Sequence, residues 1–283
     1  MTHIIWLASY PKSGNTWMRS LLANLTAAGE RPADINMLGR KYGTASSRGL
    51  FEDQTLLDSG LLTDDEIDAM RPDVYLAWAD QLRDRRDDPF VMKCHDAYTR
   101  LPGDRALLGN SVARGAIVVV RDPRDVALSF ADHRGASIDE VIDLMCDPSA
   151  AVGRSVRAQR PQLRQCLLDW SGHVLSWLDQ KDVPAHLVRY EDMEADTIAI
   201  LAAAARFAGF DVTRDQAAKA ARLSAFDALR NQEQMAGFTE AAKDRSFFRR
   251  GHSGGWRTAL SRAQAERIET AHRRTMTRLR YAI

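Results

Sequence analysis

The sequence predicts an α/β fold, a single domain over residues 1–283 with a central parallel β-sheet flanked by helices on both faces. Three observations predict it. Short apolar runs at 3–9, 89–96, 115–120 and 185–193 alternate with stretches of helical periodicity. Each run ends in distinctive chemistry, at Lys12, His95, Arg121 and Tyr190, and open parallel sheets collect ligands at the carboxyl ends of their strands. No internal repeat, low-complexity tract or linker interrupts the chain, whose length suits one large domain.

The elements follow in order. Residues 3–9 read as a buried strand, cut off by Pro11. Trp17, Leu21, Leu22 and Leu25 fall at helical spacing and predict a helix over 16–28. Residues 36–50, with glycine and serine, read as irregular. Thr63 and Glu66 form a capping box and predict a helix over 63–70; Pro72 opens a second over 72–86. The strands at 89–96 and 115–120 come next, the latter followed by a helix over 124–133. Trp170, Val174 and Trp177 mark one face of a helix over 167–180. A last strand at 185–193 precedes alanine-rich helices over 195–208 and 214–222. Residues 231–250 read as mobile, and 261–279 as a terminal helix.

Composition narrows the function. At 45% hydrophobic and 27% charged, with net charge +1, the chain has a core but no global field for nucleic acid or an anionic membrane. Any anion must be met by locally focused charge. Cys94, Cys146 and Cys166 include no CxxC pair, so neither a disulfide framework nor a zinc site is expected, and the metal set is empty. No apolar run reaches membrane-spanning length or resembles a secretory leader, and a cytoplasmic protein is expected.

The stretch Tyr10-Pro11-Lys12-Ser13-Gly14-Asn15-Thr16-Trp17 is strand, glycine turn, helix. Unpaired amides and the positive dipole end at a helix start seat a phosphate, Gly14 lets the backbone approach, and Lys12 adds a full charge. The order is not that of the GxxxxGK[ST] loop, and no GKS or GKT occurs in the chain, so a metal-bound triphosphate is not expected. A second stretch, "IVVVRDPRDVALSF", sets Arg121 at a strand tip and Ser129 eight residues on, roughly on one face. Surface pairing among Arg121, Asp122, Arg124 and Asp125 is the alternative reading. A third, "RSFFRRGHSGGWRTAL", places Arg249 and Arg250 beside Gly251.

Together the three stretches resemble the PAPS-dependent sulfotransferase family of the cytosolic type, from the first strand to Trp256, as in a bacterial member. PAPS is 3′-phosphoadenosine 5′-phosphosulfate. The resemblance implies that the first stretch is a P-loop-like 5′-phosphosulfate loop contributing Lys12, Ser13, Gly14, Asn15 and Thr16, with Asn15 where the family has Thr. It implies that Arg121, Ser129, Arg249, Arg250 and Gly251 hold the 3′-phosphate, and that Trp17, Tyr190, Ser224 and Phe226 contact the nucleoside. "VMKCHD" is similar to the family's KTH segment, which implies His95 as general base with Lys93 near the transferred group and Lys12 stabilising the leaving phosphate. The implied activity is sulfuryl transfer from PAPS, without metal, to a hydroxyl or less readily an amine. A P-loop-type kinase and a non-catalytic nucleotide-binding module are the alternatives.

The acceptor stays open: a small molecule, a lipid, a glycan or a peptide. Segments 36–88, 145–165 and 231–248 are expected to form its pocket and lid. Arg154, Arg157, Arg160 and Arg164 recur at near-helical spacing, as a solvated basic face or as a site for an acidic acceptor. The resemblance also implies a homodimer, with the family's dimer motif degenerate here at Arg257, Ser261, Arg262 and Glu266.

Overall fold

The computed structural model describes residues 4–27, 29–83, 89–109, 111–153, 161–242, 245–249 and 251–282. Its strands are β1 (Ile4–Ser9), β2 (Phe90–Cys94), β3 (Ala113–Val120), β4 (Ala151–Val152), β5 (Gln165–Cys166) and β6 (Ala185–Arg189). Four form one parallel sheet in the order β2-β1-β3-β6; β4 and β5 make a small antiparallel pair elsewhere. β1 is central, with Ala8 opposite Cys94 on one side and Val118 on the other. The carboxyl ends of β1, β2 and β3 therefore open onto one edge.

Alternation along the strands sends successive side chains to opposite faces. Ile4, Trp6 and Ala8 join Phe90, Met92, Val118 and Val120 in one apolar cluster; Ile5 and Leu7 join Val91, Ile117, Val119 and Val188 in the other. The first cluster is covered by α3 (Arg48–Thr55), α4 (Asp64–Arg83), α5 (Pro123–Arg134), α6 (Ile138–Cys146), α7 (Trp170–Asp179) and, near the end of the chain, Ile268 and Met276. The second is covered by α1 (Asn15–Thr26), α2 (Leu38–Tyr42), α8 (Tyr190–Ala195), α9 (Thr197–Ala208), α10 (Arg214–Leu223) and α11 (Phe226–Ala236). A short α12 (Trp256–Ala259) and the long α13 (Arg262–Arg278) close the chain. No described helix is long and apolar enough to cross a membrane.

Several expectations need correction. Residues 63–83 are not two helices split at Pro72: α4 runs through the proline. Buried Ile67, Arg71, Val74, Tyr75, Ala79 and Leu82 tie both halves to the same core, which outweighs the lost hydrogen bond. Residues 84–86 lie outside the described residues. The 36–50 stretch is partly helical, with α2 inside it and α3 starting at Arg48. The last strand stops at Arg189, and Tyr190 begins α8. Residues 231–236 continue α11, and the chain beyond is packed through buried Phe238 and Phe248. Helix α6 was not anticipated, although Ser137 and Glu140 carry a complete capping box.

Candidate active site

β1 delivers its chain directly to the site. After Ser9 the backbone turns through Lys12 at φ 67° and Gly14 at φ 109°, both left-handed. Glycine is required at 14: a Cβ there would meet Tyr190 Cδ2 at 2.7 Å. Lys12 tolerates its unfavourable conformation only because the flanking structure holds it. The first amides of α1 have no intrahelical acceptor, and no side chain caps them. Ser13 Oγ is fully buried and finds no hydrogen-bond partner among the described residues. An unsatisfied buried hydroxyl beside free amides is a cradle fitted to an anion.

Lys12 carries the charge of this cradle. Its Nζ lies 3.6 Å from the ring centroid of Phe247. Burial first, then the charges of Lys93, Arg249 and Arg121, push its pKa down to about 7. The ammonium is thus poorly compensated in the free protein, and an arriving anion would relieve it.

His95 follows β2 directly. Its Nδ1 lies 2.8 Å from Ser9 O, which can only accept, so Nδ1 carries the proton and Nε2 the lone pair. Burial and the nearby Lys93 charge hold the ring well below its ordinary pKa, so it is neutral. The strand partners β1 and β2 thereby bring His95 to the residue that leads into the Lys12 turn. Buried Lys93 donates from Nζ to Glu240 Oε2 at 3.0 Å.

On the other side of β1, Arg121 leaves β3 with its guanidinium 4.1 Å from the ring centroid of Tyr190. Nη2 donates to His252 O at 3.1 Å, and the buried Nε has no partner among the described residues. The expected alternative, pairing within the Arg121–Asp125 run, holds only for Arg124 with Asp122. Arg124 pairs with Asp122 at 2.7 Å and Glu269 at 2.6 Å, and Asp125 accepts from the amides of Gly254 and Trp256. That last pair fixes the glycine-rich loop beside Arg121, as does Glu194, which accepts from Ser253 N.

The remaining expected residues divide into two groups. Lys12, Ser129 and Arg249 line one small cavity with Asp132, His133 and Phe247. Trp17 lies 5.4 Å from Tyr190, ring to ring, and Gly251 at φ 69° packs so tightly that a Cβ would sit 2.1 Å from Phe226. Others turn their side chains to structural work. Asn15 Nδ2 donates to Leu7 O and its Oδ1 accepts from Arg19, Thr16 Oγ1 also accepts from Arg19, and Ser224 Oγ accepts from Asn24. The Asn15 side chain is thereby committed and its backbone amide remains for a ligand, whereas Thr16 only accepts from Arg19 and keeps its hydroxyl proton to donate. Arg250, Arg154, Arg157 and Arg160 lie outside the described residues. Arg164 is neither on a free basic face nor open to an acidic acceptor, since it pairs with Asp65 at 2.6 Å and with Asp68.

Sequence reasoning missed Arg19, Glu240, Asp132, His133 and Phe247. Arg19 was accessible, three and four residues beyond Thr16 and Asn15 on one helix face. Glu240 was not: it meets Arg19 across a separation of 221 residues. Among the described residues no cluster of three His, Cys, Asp or Glu side chains could hold a metal.

Known proteins bear on this arrangement. The luciferin sulfotransferase of Photinus pyralis is 25% identical over 214 residues, 72% of this chain and 50% of that protein, so the chain spans about half the length of this curated relative. A mouse sulfotransferase solved with PAP, 3′-phosphoadenosine 5′-phosphate, superposes with TM-score 0.59 at 20% identity over 97% of this chain and 85% of its own. Retinol dehydratase, solved with androsterone and PAP, superposes with TM-score 0.61 at 18% identity over 96% of this chain and 80% of its own. These two are likenesses of fold. The sequence model of the sulfotransferase domain matches residues 3–280, nearly the entire length, and the chain belongs to that family.

Proposed function

We propose that this protein transfers the sulfuryl group of PAPS to a hydroxyl of an acceptor, with His95 as general base. The observation that carries the reading is the His95–Ser9 bond of 2.8 Å, which leaves a neutral imidazole with its lone pair on Nε2 and ties the ring to the residue that leads into the Lys12 turn. The donor, when bound, supplies an activated sulfuryl group whose departure leaves charge on a phosphate oxygen. Lys12, the first amides of α1 and Ser13 Oγ are the groups that would stabilise that charge, fixed before reaction and partly shielded from water. Lys93 adds a second positive charge nearby. Arg121, Ser129, Arg249, Arg250 and Gly251 would hold the 3′-phosphate; Trp17, Tyr190, Ser224 and Phe226 would bound the nucleoside. The unpartnered Nε of Arg121 and the orphaned Ser13 hydroxyl support this division.

The acceptor would enter on the β2 side. Each segment assigned to its pocket reaches the end of that strand: Ala45 N donates to Lys93 O at 2.8 Å, Arg164 O accepts from Arg71, which also grips Asp96, and Glu240 holds Lys93. Segments 36–88, 145–165 and 231–248 are accordingly proposed as pocket and lid, within one domain over 1–283. A small molecule, lipid, glycan or peptide hydroxyl all remain within this proposal, as do a cytoplasmic location and a homodimer.

The test is transfer from radiolabelled PAPS to a panel of phenols, sterols, hydroxylated lipids, sugars and peptides, with PAP binding followed by calorimetry. His95→Ala is expected to lose turnover by ~100–10,000-fold while keeping PAP affinity. Undiminished turnover in that variant removes the base assignment. A wild-type protein that neither binds PAP nor labels any acceptor removes the function.

A further inference from the structure

Arg19 sits on the second turn of α1 with its side chain wholly buried. A buried guanidinium requires a counter-charge and full hydrogen bonding. Both come from a distant part of the chain. Nη1 and Nη2 donate to Oε1 and Oε2 of Glu240 at 2.8 and 2.7 Å. The same guanidinium reaches Asn15 Oδ1 and Thr16 Oγ1, each at 3.1 Å. Glu240 Oε2 in turn accepts from Lys93 Nζ at 3.0 Å. One carboxylate therefore joins the first turn of α1, the end of β2 and the chain that follows α11.

That following chain carries Phe247, over Lys12, and Arg249, which pairs with Asp132 at 2.9 Å. Glu233 secures its far side by accepting from the amides of Phe247 and Phe248. Glu240 secures the near side.

We propose that Glu240 is a positioning residue: its carboxylate clasps the Phe247–Arg249 segment to the cradle through Arg19, and holds Lys93 in place beside His95. That Lys93 stands at a transfer centre rests on the function proposed above; the clasp itself does not.

The groups acting on Lys93 set the expectation. Burial above all, and then Arg19 from α1, oppose its charge, and Glu240 sustains it. Lys12 from the turn, His95 next to it and His133 from α5 all feel the Lys93 charge. Glu240 is the one carboxylate bonded to Lys93 among the described residues. Without that negative charge two buried cations face each other, and Lys93 answers by releasing its proton. Mere loosening has the opposite effect, because a hydrated lysine returns toward ~10.4. The direction of the Lys93 titration separates the two.

The experiment is competitive acetylation of lysines across pH, read by mass spectrometry, on the full chain and its Glu240→Gln and Glu240→Asp variants. In Glu240→Gln, Lys93 is expected to titrate lower than in the wild type by about one pH unit or more. Glu240→Asp is expected to restore most of the wild-type value. PAP affinity is expected to fall about tenfold in the Gln variant and to recover in the Asp variant, in line with loss of a charge-assisted tether. An unchanged or raised Lys93 titration in Glu240→Gln overturns the proposal. If that variant does not fold, Arg19→Met and Lys93→Met added together to it decide: removing both cations with their carboxylate is expected to recover folding, and no recovery overturns the unpaired-charge account. Absence of PAP binding in the wild type would instead count against the donor assignment, and the acetylation result would still decide the clasp.

Discussion

Lys12 bears its charge where the fold makes charge costly. With its pKa pushed down to about 7, against about 10.4 in an unfolded chain, the native state holds fewer protons than the unfolded state between those values. Stability of the free protein is therefore expected to rise with pH across that window, as the neutral amine becomes allowed. Anion binding should reverse the bias and draw a proton back. Calorimetry of PAP binding near pH 7.5 in buffers of different ionisation enthalpy should show net proton uptake, and affinity should weaken as pH rises above 7, by up to about tenfold per unit. Lys12→Arg should abolish the uptake, since arginine does not titrate in this range. Binding with no proton linkage in the wild type would mean that Lys12 does not face the ligand. The residue's importance was legible from Pro-Lys-Ser-Gly after a strand. Its low pKa was not, because that depends first on burial and then on Lys93, Arg249 and Arg121 arriving from three other elements.

The elements owe their arrangement to a few buried polar ties. Asp96, next to His95, is wholly buried; it accepts from Arg71 Nη2 at 2.7 Å, from Arg71 Nη1 at 3.1 Å and from Cys166 N at 3.0 Å. Its carbonyl accepts from Trp177 Nε1. β2 is thereby joined to α4, β5 and α7. Asp96→Asn leaves Arg71 without its principal counter-charge and is expected to destabilise by about 3–5 kcal/mol in urea unfolding. A change below about 1 kcal/mol would show that Asp68, which pairs with Arg71 at 3.1 Å, is sufficient. Gly14→Ala belongs to the same scale: with φ 109° and Tyr190 at 2.7 Å, it is expected to cost about 1–3 kcal/mol and to abolish PAP binding by moving the start of α1. Near-wild-type affinity in that variant would show that the cradle amides are not the anion seat. Local pattern read the element types well where apolar spacing was long, as in α1, α7 and α13. It failed at Pro72 because a local rule for ending helices carries no knowledge of Arg71 meeting Asp96 25 residues away.

Across the molecule, the sheet divides two apolar clusters, and buried histidines stand in the larger layer. His173 and His272 each have their pKa pushed down to about 4, by burial above all. The unfolded chain, with histidines near 6.5, binds more protons between those values, so stability is expected to fall as pH drops from about 6.5 to 4. The slope should approach 1.4 kcal/mol per pH unit for each histidine. Urea titrations at intervals through this range should show it, and a His173→Gln/His272→Gln variant should give a flatter profile. An equal slope in both proteins would assign the acid sensitivity to groups other than His173 and His272, such as His95 and His133.

What the sequence determined alone was the alternation of strand and helix, the edge at which chemistry would gather and the three motifs that gather there. Those follow from short-range physics: side-chain period, glycine turns and helix starts act over a few residues. Only the tertiary structure decided that Asn15 and Thr16 would turn their side chains inward, that Arg164 would be occupied by acidic partners, and that Glu240 would meet Arg19 and Lys93. Such pairings join residues tens to hundreds of positions apart, and the buried charges that compel them exist only once the core has closed around them.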